Sequence, residues 1–165
     1  MLCRWHVCAG EKRGAHVGKT KRGKGSKLLV LADGTGTPVG VFLASATPAE
    51  VTLLAQAIDQ VPWNLLASKP ERLIADRGYD SNRVRAELAA CGIEPIIPAR
   101  RTHQKATHQD GRKLRRYKKR WRIERTNAWL QNYRRVLTRF EYRATNYRAF
   151  VHLACALIVL RKVLG

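Results

Sequence analysis

Acidic side chains are scarce in this 165-residue sequence: 12 Asp and Glu stand against 32 Lys and Arg, a formal net charge of +20. That shortage excludes a partner that is itself basic and makes a polyanion the natural counterpart. Cysteines number only four, without the pattern of a disulfide framework, and no apolar leader follows Met1, so a reducing cytoplasm is the expected compartment. Cys3, His6, Cys8 and His16 match no standard zinc spacing, and a structural metal is not expected there. Cys91 and Cys155 read as small core residues. A membrane-length apolar run is missing too. "AFVHLACALIVL" (149–160) is interrupted by His152 and followed by Arg161 and Lys162, which makes it a buried terminal helix rather than a span. No segment joins a basic block to a clean amphipathic face, so a membrane partner is not expected.

What is present is one domain's worth of chain, 45% apolar and 27% charged, enough for a single core and inconsistent with global disorder. The charge is unevenly placed. Residues 28–99 carry five cations against eight anions, whereas residues 100–143 carry sixteen against three and residues 11–27 carry seven against one. Blocks this dense serve a polyanion, because each cation that neutralises a phosphate releases a condensed counterion. Nucleic acid is therefore the expected partner, with a solvated basic surface as the plain alternative.

Residues 1–27 show no convincing periodicity and are expected to be loop. "KLLVLADGTGTPVGVFLAS" predicts a hairpin, 27–32 with 39–44, around a Gly-rich turn. Thr47, Pro48 and Glu50 form a capping-box pattern ahead of a helix reaching about Val61. "RLIAD" is a short strand, Asp80 or Ser81 caps a helix that ends at Gly92, and "IEPIIPA" is extended at a sheet edge. A long helix is expected from Gly111 to about Arg139, and a last one from Thr145 to Leu164. The order ββαβαβαα gives an α/β or α+β sheet domain.

Three patterns bear on chemistry. "GAHVGKT" resembles a phosphate-binding loop, but Arg13 stands where the pattern needs glycine and no strand precedes it, so nucleotide hydrolysis is set aside. Asp76 ends an apolar strand, where a carboxylate is costly unless paired, metal-bound or capping a turn. Along the long helix, Leu114, Tyr117, Trp121, Glu124 and Ala128 recur every three or four residues and predict a core-facing stripe that includes Glu124. An Arg120–Glu124 pair is worth only a few tenths of a kcal/mol in water. A divalent cation shared with Asp76 would account for both acids.

"YKKRWRIERTNAWLQ" matches Y-x2-R-x3-E through Tyr117, Arg120 and Glu124, and in this it resembles the DDE class of bacterial insertion-sequence transposases. "LIADRGYDS" is similar to the segment carrying their second catalytic Asp. "GKTKRGKGSKLLVLADGTGTPVGVFLASATPAEVTLL" and "YRAFVHLACALIVLRKVL" resemble the insertion sequence five branch, and the likeness covers roughly residues 17 to 164. The resemblance implies a ribonuclease H-like α/β fold, a mixed sheet with flanking helices. It also implies two Mg2+ ions held by two Asp and one Glu, one activating water or a DNA 3′-hydroxyl and the other stabilising the leaving oxygen. Asp76 would be the second acid and Glu124 the third. Tyr117 and Arg120 would contact the DNA backbone near the cut, and Lys19, Lys21, Arg22 and Lys24 of the basic loop are further candidate DNA contacts. Element terminal repeats and target DNA are the implied partners, together with self-association with full-length transposase.

The sequence departs from the pattern twice. Gln131 stands where the signature continues to a Lys and can hydrogen-bond a phosphate but not neutralise it. No acid precedes Glu11, and Asp33 reads as a turn former, so the first catalytic Asp is not found. The expectation is a divergent or disordered start over 1–16 and an incomplete catalytic domain over 17–165, with its first strand missing or replaced. Such a carboxyl-terminal part of a transposase would be catalytically weak or inactive. The competing reading is a non-catalytic basic nucleic-acid-binding protein.

Overall fold

The computed structural model describes residues 1–10, 14–20, 23–61, 69–99 and 111–165. Its elements in chain order are β1 (Leu2–Gly10), β2 (Gly18–Thr20), β3 (Gly23–Ala32), β4 (Pro38–Ser45), α1 (Glu50–Asp59) and β5 (Arg72–Ile74). There follow α2 (Asn82–Ala90), β6 (Glu94–Ile96), α3 (Gly111–Leu114), α4 (Trp121–Gln131), α5 (Arg134–Leu137), β7 (Thr138–Arg139) and α6 (Ala144–Leu164). Short 3-10 segments cover Arg77–Tyr79 and Arg115–Arg120.

β1 is the central strand. It runs antiparallel to β3 over Leu2↔Ala32 to Ala9↔Gly25 and parallel to β5 at Leu2↔Ile74. β5 in turn pairs parallel with β6, and β3 pairs antiparallel with β4. The sheet order is β2-β3-β1-β5-β6, with β4 on β3 and β7 on β1. Helices cover both faces. Cys3, Trp5, Leu29, Leu31 and Leu73 pack with the α1 and α2 residues Leu54, Ile58 and Leu88. On the other face Leu2, Cys8, Leu28 and Val30 pack with Ile123 and Leu130 of α4 and with Tyr147 of α6. Three antiparallel strands continued by two parallel ones, with helices on both sides, make the mixed ribonuclease H-like α/β arrangement that the resemblance implies.

The loop expected over residues 1–27 is corrected by this sheet. β1 hides its pattern because both faces are covered: Leu2 and Cys8 serve one core while Cys3 and Trp5 serve the other, which erases the alternation of a half-exposed strand. Gly10, at φ 148°, closes the strand where β7 passes; a Cβ there would lie 1.9 Å from the Arg139 carbonyl oxygen. The hairpin is found as expected, with β3 and β4 extending a little past the predicted bounds, and β6 lies at the sheet edge.

Capping by Thr47 is not observed. α1 begins at Glu50 behind Ala49, which makes no side-chain cap, and the Thr47 hydroxyl instead accepts the Lys19 amide at 3.2 Å. Ser81 occupies the cap position of α2, also without a side-chain cap. The long helix from Gly111 is likewise corrected. It is split by the 3-10 segment Arg115–Arg120, ends at Gln131, and is followed by α5 and β7. "RRYKKR" sets like charges three and four residues apart, which opposes a regular α-helical turn.

Asp33 is a turn former. Its Oδ1 accepts the Thr35 amide (2.8 Å), the Thr35 hydroxyl (2.7 Å) and the Thr37 amide (2.8 Å). Partial burial pushes the Asp33 carboxyl upward, but these hydrogen bonds and the nearby Lys162 outweigh it and hold its pKa below the ordinary value. A carboxyl depressed in the folded state stabilises above its unfolded pKa and loses that contribution as pH falls through the folded one. Asp33→Asn keeps the Oδ1 acceptor and removes only a charge largely open to solvent, so it should cost no more than about 0.5 kcal/mol at neutral pH. The gap from the wild type should close progressively below about pH 4, as read by urea unfolding at a series of pH values.

Candidate functional site

Asp76 lies two residues beyond β5. Its Oδ1 accepts the Gly78 amide at 2.7 Å and caps the 3-10 turn, which the buried Tyr79 ring anchors in the core. The carboxylate is half-buried. Glu124 rides on α4, positioned by its neighbour Ile123, which is fully buried. Its Oε1 takes two guanidiniums: Arg4 Nη1 from β1 at 2.7 Å and Arg120 Nη1, one turn earlier, at 2.7 Å. One step along the same strand, Gln131 Nε2 lies 3.2 Å from His6 Nδ1. Burial first, and then Arg4, lowers the His6 pKa. Two side-chain contacts thus hold α4 across the central strand.

The expected core-facing stripe is corrected. α4 buries Ile123, Thr126, Asn127 and Leu130, whereas Trp121 is 51% exposed and the Glu124 side chain 40% exposed. Six 3-10 residues before Trp121 turn the chain roughly 120° further than six α-helical residues would, so a period counted through them loses its phase. Glu124 is consequently a half-exposed carboxylate held by two arginines, not a charge inside the apolar core.

Leu2 and Ile74 are directly paired, and Arg4 and Asp76 each stand two residues beyond them. The arginine that grips Glu124 therefore lies on the strand that pairs with β5, the strand Asp76 follows. Tyr117 carries Arg120 over its ring at 5.4 Å. Lys19 and Lys24 face each other across the β2–β3 ladder, both exposed. Lys21 and Arg22 lie outside the described residues. Arg4 was not singled out in the sequence, and only its position as a cation within a buried strand could have marked it. A second feature had a readable signal, the spacing W-x3-R-x3-W. Along α4, Arg125 Cζ lies 4.9 Å from the Trp121 ring and 4.7 Å from the Trp129 ring.

A sheet of this topology, with an acid after β5 and another on the helix that crosses β1, defines the ribonuclease H-like class of domain. A family model for the transposase DDE domain matches residues 5–159, and the chain belongs to that family. It is 42% identical over 139 residues to a putative transposase for insertion sequence element IS402 of Burkholderia cepacia, a match covering 81% of this chain and 62% of that protein. It is 38% identical over 90 residues to a putative transposase for insertion sequence element IS6501 of Brucella ovis, covering 54% of this chain and 67% of the other. This chain thus spans 62% of the length of the first relative.

The DDE family in general implies use of a divalent metal. Among the described residues, no three His, Cys, Asp or Glu side chains come together in a way that could hold one. Asp76 Oδ1 is engaged by an amide and Glu124 Oε1 by two guanidiniums. As arranged, these residues do not form a complete metal site. Glu124 is instead a carboxylate already neutralised by two cations, and Asp76 a turn cap. No helix among the described residues is long and apolar enough to cross a membrane.

Proposed function

We propose that this chain is part of a DNA transposase of the insertion sequence five branch, acting in the cytoplasm on the terminal repeats and target DNA of its element. Asp76 and Glu124 are the second and third acids of its catalytic set, and Mg2+ is the ion they serve. Lys19, Lys21, Arg22, Lys24, Tyr117 and Arg120 face the DNA backbone, Gln131 contributes a hydrogen bond, and the chain self-associates with full-length transposase. Cleavage and strand transfer by this chain alone are weak, because it brings two acids rather than three. The observation that supports this reading most is the Glu124 carboxylate on the helix that crosses the central strand, held at a half-open surface by Arg4 and Arg120. Both guanidiniums engage the same Oε1, an oxygen that a metal ion would also need. The second reading, a non-catalytic basic nucleic-acid-binding protein, draws on the structural roles of the same acids: Asp76 caps a turn and Glu124 braces two arginines.

The two readings separate on metal-linked stability. Arg4→Ala removes the competing guanidinium, and excess Mg2+ should then raise the Tm by about 2–4 °C more than in the wild type, equivalent to about 1 kcal/mol in a domain of this size. Adding Asp76→Asn and Glu124→Gln should abolish the gain, as followed by differential scanning fluorimetry. A shift indifferent to all three substitutions sinks the assignment of the acids and favours the binding protein.

A further inference from the structure

Trp121, Arg125 and Trp129 follow one another at four-residue steps on the face of α4 turned away from Ile123 and Leu130. The guanidinium lies between two indoles that are 51% and 36% exposed. Core packing does not require indoles there, since α4 seals the sheet with other residues. Beside Trp129 lies a hollow of ≈ 390 Å³, lined by Trp129, Asn132, Tyr133, Ile158, Arg161 and Lys162. The lining has two cations and no carboxylate. It also has an amide able to donate and accept, an apolar floor and an aromatic wall. The Tyr133 hydroxyl is screened from solvent and finds no hydrogen-bond partner among the described residues. An unpaired buried hydroxyl is costly, so this wall of the hollow is held in place by packing rather than by hydrogen bonds.

We propose that this hollow takes one unpaired nucleotide of a DNA strand, its base stacked on Trp129 and its phosphate facing Arg161. A base supplies the flat π-face that an exposed indole lacks, and stacking of this kind tolerates any base. Lys162 already reaches the Thr35 and Thr37 hydroxyls, so it fixes the rim against the β3–β4 turn while Arg161 is exposed beside it. Charge complementarity selects the occupant: the lining brings Arg161 and Lys162 and no acid, in a chain of formal net charge +20. A base within a duplex keeps both faces covered, so the site requires a strand end, a gap or an extruded base. The inference rests on DNA being the partner of the chain.

The test compares fluorescence anisotropy of a labelled blunt duplex with that of the same duplex bearing a short single-stranded overhang. The wild type should bind the overhang form about tenfold more tightly, the low end of what stacking one base provides. Trp129→Ala should remove that preference and leave blunt-duplex affinity unchanged, Trp129→Phe should keep most of it, and Arg161→Ala should reduce it. Circular dichroism of each variant separates loss of stacking from loss of fold. Equal wild-type binding to both duplexes overturns the proposal, and so does a preference that survives Trp129→Ala with the fold intact. If neither duplex binds, the reading of DNA as partner falls as well. If a free deoxynucleoside monophosphate competes as well as the overhang, the hollow is a mononucleotide site and the strand proposal is wrong.

Discussion

Arg139→Leu should destabilise the fold by about 3–4 kcal/mol, a large share of the 5–15 kcal/mol typical of a domain. Arg139 on β7 is 1% exposed. It donates to the Glu141 carbonyl (2.9 Å), the Ala15 carbonyl (2.9 Å), the Ser26 hydroxyl (2.7 Å) and the Tyr142 carbonyl (2.9 Å), and it lies over the Tyr147 ring at 5.7 Å. Among the described residues no carboxylate takes part, so its charge is spread over four neutral oxygens. Leucine fills similar space and leaves three carbonyls without a donor, each costing about 1 kcal/mol or more. Arg139→Lys should recover little, because a single ammonium cannot reproduce the planar fork. Urea midpoints measured at constant slope decide the matter, and a loss under about 1 kcal/mol would show that water substitutes freely for the fork.

DNA affinity should fall about a thousandfold when salt rises from roughly 50 to roughly 200 mM, the loss that about six phosphate contacts produce. Six exposed cations are positioned to make them: Lys19 and Lys24 on the β2–β3 ladder, and Arg115, Arg116, Lys118 and Lys119 on the 3-10 segment. Changing the last four to Gln should flatten the slope of log affinity against log salt by about 3–4, since each phosphate contact contributes about 0.9. An affinity insensitive to salt would mean that the positive charge does not meet a polyanion at all.

The parts of this molecule written plainly in the sequence are those where one physical signal dominates. The β3–β4 hairpin follows from two apolar runs around Asp33 and its glycines, and the position of α6 follows from its apolar run. The expectation that α6 is a buried helix is corrected: it buries one face, Tyr147, Val151, Ala154 and Ile158, and leaves Leu153, Leu160 and Val163 exposed. β1 was illegible because burial on both faces removes periodicity and because Arg4 and His6 look like surface residues until α4 covers them. The stripe through Glu124 failed because 3-10 geometry intervenes, an event that residue spacing alone does not announce. For Asp76 the expectation that a carboxylate closing a buried strand needs a partner is met by the Gly78 amide, the turn-capping alternative that the sequence also allowed. Glu124 was found through the motif rather than the argument about burial, since its partners are two cations at a half-open surface. The tie between Arg4 and Glu124, 120 residues apart, had no local signal.

The place of β1 in the sheet also sets a timetable. Its antiparallel partner β3 follows within the next two dozen residues, but β5 arrives some seventy residues later and β7 nearly a hundred and thirty later. At ribosomal speeds of about 5–20 residues per second, one edge of the central strand waits on the order of ten seconds for its neighbours. During that interval it presents unpaired amides and carbonyls to any other nascent chain. Production of this protein should therefore be limited by synthesis crowding, with slower translation initiation raising the yield of folded chain.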